Sequence, residues 1–263
     1  IKKFIYGTLP YYFMKGYKPD SPYLKYYEYI KEHGYSRHLY EFKDEYTDMP
    51  VNVQKDEKKG LYYVQQEKKR LYFRKSTPPK KIQKYYKALS MEQDKRSPHH
   101  YFDSVKDVTG KVFVDVGCAE GYSSLEIVEE AKHIYLFEQD EQWLEAIRAT
   151  FEPWQDKVTI VQKYVSDHNS SREQTLDDFF NNQTDEHLFL KMDIEGAERH
   201  ALAGCKNLFQ NCQKLDFAIC TYHLRDDEEV ISAFLNKHNC TYINQKGFFR
   251  HRIRSVVMRG SKK

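Results

Sequence analysis

Close cysteine pairs are missing from this chain. Its five cysteines, Cys118, Cys205, Cys212, Cys220 and Cys240, are odd in number and form no C-x-x-C pair. That removes a disulfide-stapled scaffold and the usual zinc-ligand spacing, and it fits free thiols in a reducing, cytoplasmic setting. No apolar run approaches the ~20 residues that cross a bilayer, so no transmembrane segment is expected. The start, Ile1-Lys2-Lys3, carries no methionine and lacks the basic, apolar, small-residue order of a secretory signal. Glycine is sparse, 11 in 263 residues, and nowhere forms the G-x-G-x-x-G pattern, which argues against a nicotinamide dinucleotide enzyme. Internal repeats and low-complexity tracts are absent too.

What is present is a globular composition, 40% hydrophobic and 31% charged, with an uneven charge distribution. Residues 1–103 hold 22 Lys/Arg against 13 Asp/Glu and 17 of the 22 tyrosines, whereas residues 104–263 hold 20 Lys/Arg against 26 Asp/Glu. A surface rich in tyrosine and lysine suits a saccharide or anionic partner, since rings stack on sugar faces and ammonium groups pair with phosphates. A solvated basic face over a tyrosine-filled core is the equally open alternative. The expected division is therefore a small α+β cap over 1–103 and a second domain over 104–263. Within the cap the pattern predicts a helix over 23–32 ended by Gly34, short strands at 51–53, 61–64 and 71–73, and a helix over 82–93.

From Lys111 onward, short apolar strands alternate with amphipathic segments, the signature of a doubly wound, mostly parallel α/β sheet. Strands are expected at 112–116, 133–137, 158–161, 188–192, 215–221, 241–244 and 255–258. Helices are expected at 123–130, 141–150, 197–209 and 227–238, with Asp140 and Asp226 as N-caps. The last two strands leave no room for a helix between them and should pair antiparallel at one edge.

The strand ends carry the chemistry. Val112–Ser124 reads VFVDVGCAEGYSS, a strand, a turn with Gly117 and Gly121, and a helix start, so backbone amides can approach a ligand closely. Asp115 and Glu120 line that turn. Carboxylates there repel a pyrophosphate but receive the ammonium and sulfonium charges of S-adenosylmethionine. Glu138 ends the next strand, 23 residues after Asp115, at the position from which an acid accepts hydrogen bonds from both ribose hydroxyls. Ser166 and Asp167 follow the third strand, where the acid can bond an adenine amino group. After the fourth strand, Lys191, Asp193 and Glu195 alternate and should share one face, with Lys191 pairing to Asp193 or Glu195.

These blocks, VFVDVGCAEGYSS, the acid after LFE, VSD, TLDDF and above all KMDIEGAE, resemble the FkbM-type family of S-adenosylmethionine-dependent methyltransferases. The resemblance covers about residues 112–205. It departs at Ala119, where the family usually has Asn, and at Glu120, where an apolar residue or His is common; Glu120 is expected to take over part of the contact to the methionine end. The resemblance implies a seven-stranded Rossmann-like sheet and an O-methyltransferase acting on a hydroxyl of a sugar, polysaccharide precursor or related metabolite.

A hydroxyl is a poor nucleophile until its proton is leaving, so a base is sought near the methyl group. His223 and Asp193 are the candidates, at the ends of neighbouring strands, with His223 as base and Asp193 as orienting acid. A divalent ion on Asp193, Glu195 or another carboxylate is the alternative device, without a decisive ligand set in the sequence. Arg96, His99, His100 and Tyr101, at the joint between the halves, are candidate contacts to a small-molecule or saccharide acceptor, anionic in one reading. The competing class is a non-catalytic module that binds polysaccharide or nucleic acid. The recurrence of Asp115, Glu138, Asp167 and Asp193 at successive strand ends favours the enzyme, with no nucleic-acid partner. Oligomeric state has no signal.

Overall fold

The computed structural model describes residues 2, 4–36, 39–181, 185–249 and 252–262. It forms two compact units, one of residues 1–49 with 246–254, the other of 50–245 with 255–263. The division thus falls after Met49 and not after Asp103. The reason is that residues 50–103 bury Leu61, Leu71, Phe73 and Ile82 and bond across to the sheet unit. The Tyr72 amide donates to Thr150 Oγ1 at 3.0 Å, and Lys69 Nζ donates to the Glu126 carbonyl at 3.0 Å.

In the smaller unit a π-helical turn (Phe4–Thr8) leads into α1 (Leu9–Tyr17), α2 (Leu24–His33) and α3 (Lys43–Thr47). Its core joins Ile30 and Leu39 to Phe248, ringed by Tyr23, Tyr26, Tyr27, Tyr29 and Ile253. Tyr26 stacks on Phe248 at 4.8 Å. Gly34, at φ +87°, ends α2 as expected and donates its amide to the Ile30 carbonyl at 2.8 Å. The helix α1 was not legible, because Pro10 and Gly16 sit inside its short span.

The larger unit opens with an antiparallel sheet, β1 (Val53–Asp56), β2 (Leu61–Gln66) and β3 (Lys69–Tyr72), followed by α4 (Pro79–Glu92). Then come β4 (Val112–Val116), α5 (Tyr122–Glu126), β5 (His133–Phe137), α6 (Glu141–Phe151), β6 (Val158–Val161), the short pair β7 (Tyr164–Val165) and β8 (Glu173–Gln174), and α7 (Leu176–Phe180). The chain continues with β9 (His187–Met192), α8 (Glu198–Ala203), α9 (Lys206–Asn211), β10 (Lys214–Cys220), α10 (Asp227–Lys237), β11 (Cys240–Phe249) and β12 (Arg252–Lys262).

Seven strands form one sheet in the order β11-β12-β10-β9-β4-β5-β6. Pairing is parallel from β10 through β6, and β12 runs antiparallel to β10. All five β4 residues are buried, as a central parallel strand covered on both faces requires. All five cysteines are free and buried.

Departures from the expected elements include β1, displaced from the expected 51–53, and three details of the helices. The helix expected over 197–209 is two helices, α8 and α9, broken at Gly204, where a Cβ would collide with the Ser166 carbonyl oxygen. Asp140 caps α6 through the Gln142 amide at 2.9 Å, but Asp226 makes no cap bond and instead pairs with Arg199. The amphipathic helix over 123–130 ends at Glu126.

Candidate functional site

The turn after β4 takes left-handed backbone at Gly117 (φ +79°), Ala119 (φ +47°) and Gly121 (φ +80°). Glycine is required at Gly117, where a Cβ would strike the Asp193 carbonyl, and at Gly121, where it would lie 2.7 Å from Phe151 Cε2. The glycines therefore seat the turn against β9 and α6. Asp115 is buried beneath it, paired with Lys191 Nζ at 2.7 Å and accepting from Ser124 Oγ at 2.6 Å. Lys191 also donates to the Gly117 carbonyl at 2.7 Å. Burial alone would lower the Lys191 pKa, but the Asp115 and Asp193 carboxylates outweigh it and raise it. Lys191 thus pairs with Asp115, not with Asp193 or Glu195 as expected. The alternation fails because β9 stops at Met192: Glu195 turns into a left-handed backbone position (φ +55°) with its side chain 92% exposed.

Glu138, at the end of β5, accepts the Ala119 amide at 3.1 Å and the Asp140 amide at 2.8 Å, one on each oxygen. Burial raises its pKa. A carboxylate has about four acceptor positions, so acceptor capacity remains on Glu138 for the hydroxyl donors that a ribose of S-adenosylmethionine would present. Glu120 is buried and accepts from Tyr85 Oη of α4 at 2.9 Å. Burial pushes its pKa up to about 7. Ser166 is buried, and Asp167 beyond it holds His168 Nδ1 at 2.8 Å and His200 Nδ1 at 3.5 Å. Those two histidines, His168 foremost, lower the Asp167 pKa.

The second cluster lies past β9 and β10. Asp193 Oδ2 accepts from Tyr101 Oη at 2.7 Å, and Asp193 Oδ1 lies 3.5 Å from His223 Nε2. Glu195 Oε2 is 3.6 Å from the same nitrogen. On the other ring edge, His223 Nδ1 donates to Glu198 Oε1 at 2.8 Å, and that oxygen also takes the Ile194 amide at 2.9 Å. Glu198 is wholly buried. Burial opposes charge on His223, but the Glu198 bond and the nearby Asp193 and Glu195 raise its pKa. Two atoms here are buried without a hydrogen-bond partner, Glu198 Oε2 and His223 Nε2.

Of the four expected acceptor contacts, only Tyr101 reaches these acids. Arg96 forks onto its neighbour Asp94, Nε to Oδ1 at 3.0 Å and Nη2 to Oδ2 at 2.7 Å. His100 is held between Ser97, Asp103 and Arg259, and His99 packs edge-on against Tyr222 at 5.3 Å. Reading the sequence missed Glu198 and Tyr85 as site members. Glu198 could have been found as the second acid of Glu-Gly-Ala-Glu opening a helix; Tyr85 carries no local signal, because the fold alone brings α4 to the turn.

A central parallel sheet with an antiparallel terminal strand and acids at consecutive strand ends defines a Rossmann-like methyltransferase. The sequence matches the methyltransferase FkbM domain over residues 43–243, and the chain belongs to that family. Among curated proteins none matches it. Solved structures similar to it include a methyltransferase FkbM from Methylobacillus flagellatus, 18% identical with a TM-score of 0.47 over 57% of this chain and 43% of that one. This chain thus spans less than half of that protein. SMU.1697c of Streptococcus mutans, in complex with SAH, is 14% identical with a TM-score of 0.44, covering 60% and 93%. The magnesium protoporphyrin IX methyltransferase of Synechocystis PCC 6803, with bound SAM, is 12% identical with a TM-score of 0.44, covering 72% and 86%. Among the described residues no helix is long and apolar enough to cross a membrane.

Proposed function

We propose that this chain transfers a methyl group from S-adenosylmethionine to a hydroxyl of a sugar, polysaccharide precursor or related metabolite. The observation that carries the reading is Glu138, a largely buried acid at the end of β5 that holds the turn after β4 through the Ala119 amide and its own loop through the Asp140 amide. Bound S-adenosylmethionine supplies an electrophilic methyl on a sulfonium, and its loss leaves a neutral thioether. Glu138 holds the ribose, Ser166 and Asp167 border the adenine, and Asp115, Gly117, Glu120 and Gly121 shape the methionine end. Asp193 and His223 receive the acceptor, and its hydroxyl proton leaves at that end of the site. Positioning supplies much of the rate, since well-oriented intramolecular reactions gain up to about 7–11 kcal/mol.

The saccharide class is supported by the basic stretch 50–103, 14 Lys/Arg against six Asp/Glu, which packs within the sheet unit. Calorimetry should show S-adenosylmethionine binding and no NAD binding. Incubation with methyl-labelled cofactor and a panel of nucleotide sugars and oligosaccharides should yield a methyl ether by mass spectrometry. His223→Ala should then lower kcat about 10²-fold or more with cofactor affinity preserved. Preference for NAD, or a panel that stays unlabelled while a nucleic acid or protein is methylated, overturns the reading.

A further inference from the structure

The first helix of the smaller unit, α1, is apolar on two opposite sides. Its inner side is fixed against α2. A Cβ on the preceding Gly7 would lie 2.6 Å from the Lys31 amide nitrogen, and the buried Tyr11 donates to Glu28 Oε1 at 3.1 Å beneath Lys31 Nζ. On the outer side Ile5, Leu9, Tyr12, Phe13 and Tyr17 recur at the three- and four-residue steps that make one stripe. Those five side chains are between 49% and 78% exposed, and Phe13 stacks on Tyr17 at 4.9 Å. Among the described residues beyond 35, the exposed large apolar side chains are Tyr164, Leu224, Val230 and Ile243, no two of them on one element. Single ones are normal on any protein surface, whereas a contiguous stripe marks a contact. Residues 1–19 also carry four lysines and no acid, and Lys2, Lys15 and Lys18 are exposed. A second copy seated through the same patch would set these lysines against their own counterparts. An anionic lipid surface receives the rings and the ammonium groups together.

We propose that α1 and the turn before it dock the smaller unit on an anionic lipid bilayer. At 1.5 Å per residue the helix Leu9–Tyr17 is about 14 Å long, less than half of the ~30 Å hydrocarbon core, so it lies in the interface plane and does not span. Leu9 and Phe13 enter the acyl boundary. Tyr12 and Tyr17 sit at headgroup level, where a ring with one polar end is at home. The lysines pair with the lipid phosphates and carboxylates. Docking needs no rearrangement, because Gly7 and Tyr11 stay against α2 while the outer stripe already stands exposed. The surface is independent of the methyl-transfer reading, since every residue it uses lies in the smaller unit.

The test sediments the full chain with sucrose-loaded vesicles of phosphatidylserine and phosphatidylcholine in equal parts, and with phosphatidylcholine alone. The parent chain should come down with the mixed vesicles and far less with phosphatidylcholine or in high salt, which screens the lysines. Lys15→Gln and Lys18→Gln should each weaken binding about fivefold, the equivalent of about 1 kcal/mol per lysine. The double variant Phe13→Ser, Tyr17→Ser should weaken it at least about tenfold at an unchanged melting temperature, since both side chains are exposed. The basic stretch 50–103 offers anionic vesicles a second hold, so Phe13→Trp supplies a readout that charge alone does not move. Its emission, taken as the difference from the parent chain, should shift to the blue on mixed vesicles and be quenched by brominated lipid. No sedimentation with mixed vesicles, binding indifferent to the double variant, or a Phe13→Trp emission left unshifted and unquenched overturns the proposal. A parent chain that is dimeric by ultracentrifugation and made monomeric by the double variant overturns it too, because a second copy then covers the stripe.

Discussion

The two ends of the site differ in how their charges are spent. At the turn after β4, Asp115 has Lys191 and Ser124, Glu138 has two backbone amides, and Glu120 has Tyr85. Past β9, Glu198 Oε2 has no hydrogen-bond partner, and His223 Nε2 has only the Asp193 and Glu195 carboxylates at 3.5 and 3.6 Å, too long for a hydrogen bond. Paired groups hold a shape before any ligand arrives, whereas bare ones wait for something to fill them. The first arrangement is stability; the second leaves some stability unclaimed.

Breaking the paired end should produce the largest effect. Lys191→Met strands a buried Asp115 and should cost about 3–5 kcal/mol by urea unfolding, the range for removing one partner of a buried pair. A loss under 1 kcal/mol would show that the pair is solvated and the contrast false. Glu120 gives a pH-dependent version. Its pKa is raised by burial from an ordinary 4.5 to about 7, so its contribution to stability is fully present below pH 4.5 and is lost as pH rises through 7. Between those limits the parent chain should lose about 3 kcal/mol relative to Glu120→Gln, which keeps an acceptor for Tyr85 without the ionisation. Parallel stability curves from pH 4 to 8 would remove that assignment.

Glu138→Ala sharpens the comparison through the ligand. It should weaken S-adenosylmethionine by about 1–3 kcal/mol in calorimetry. Unchanged cofactor affinity would detach Glu138 from the ribose. The smallest effect belongs to Tyr101→Phe, which takes one donor from the partly exposed Asp193. About 1 kcal/mol of stability should go, read from the melting temperature.

Much of this was written in the sequence because period and chemistry agreed locally. The strands 112–116, 133–137 and 158–161 fall where β4, β5 and β6 stand, since apolar runs bounded by turns leave little choice. That Asp115, Glu138 and Asp193 stand in or just past β4, β5 and β9 was legible too. Partners were not: Lys191 bonds across to the neighbouring strand, to Asp115, which lies opposite it in the parallel register. Alternation along one strand says nothing of the next. The same holds for His100, whose place beside His99 suggested a shared task until Arg259, far along the chain, claimed it. The boundary after Asp103 followed a change in composition, and packing ignored it; tyrosine concentrates in residues 1–49 while the net positive charge lies in 50–103.

The smaller unit is assembled from chain on both sides of residues 50–245: Ile30 and Leu39 share a core with Phe248. On a ribosome, that core has no third member until residues 50–245 have been made. At about 5–20 residues per second, the roughly 200 residues between them take about 10–40 s, during which the tyrosines of α2 have no Phe248 to stack on. The helices α1 and α2, made before the sheet, are therefore among the last to finish folding, and a chain halted before Phe248 would carry strands β4 to β10 and an aromatic cluster still without its centre.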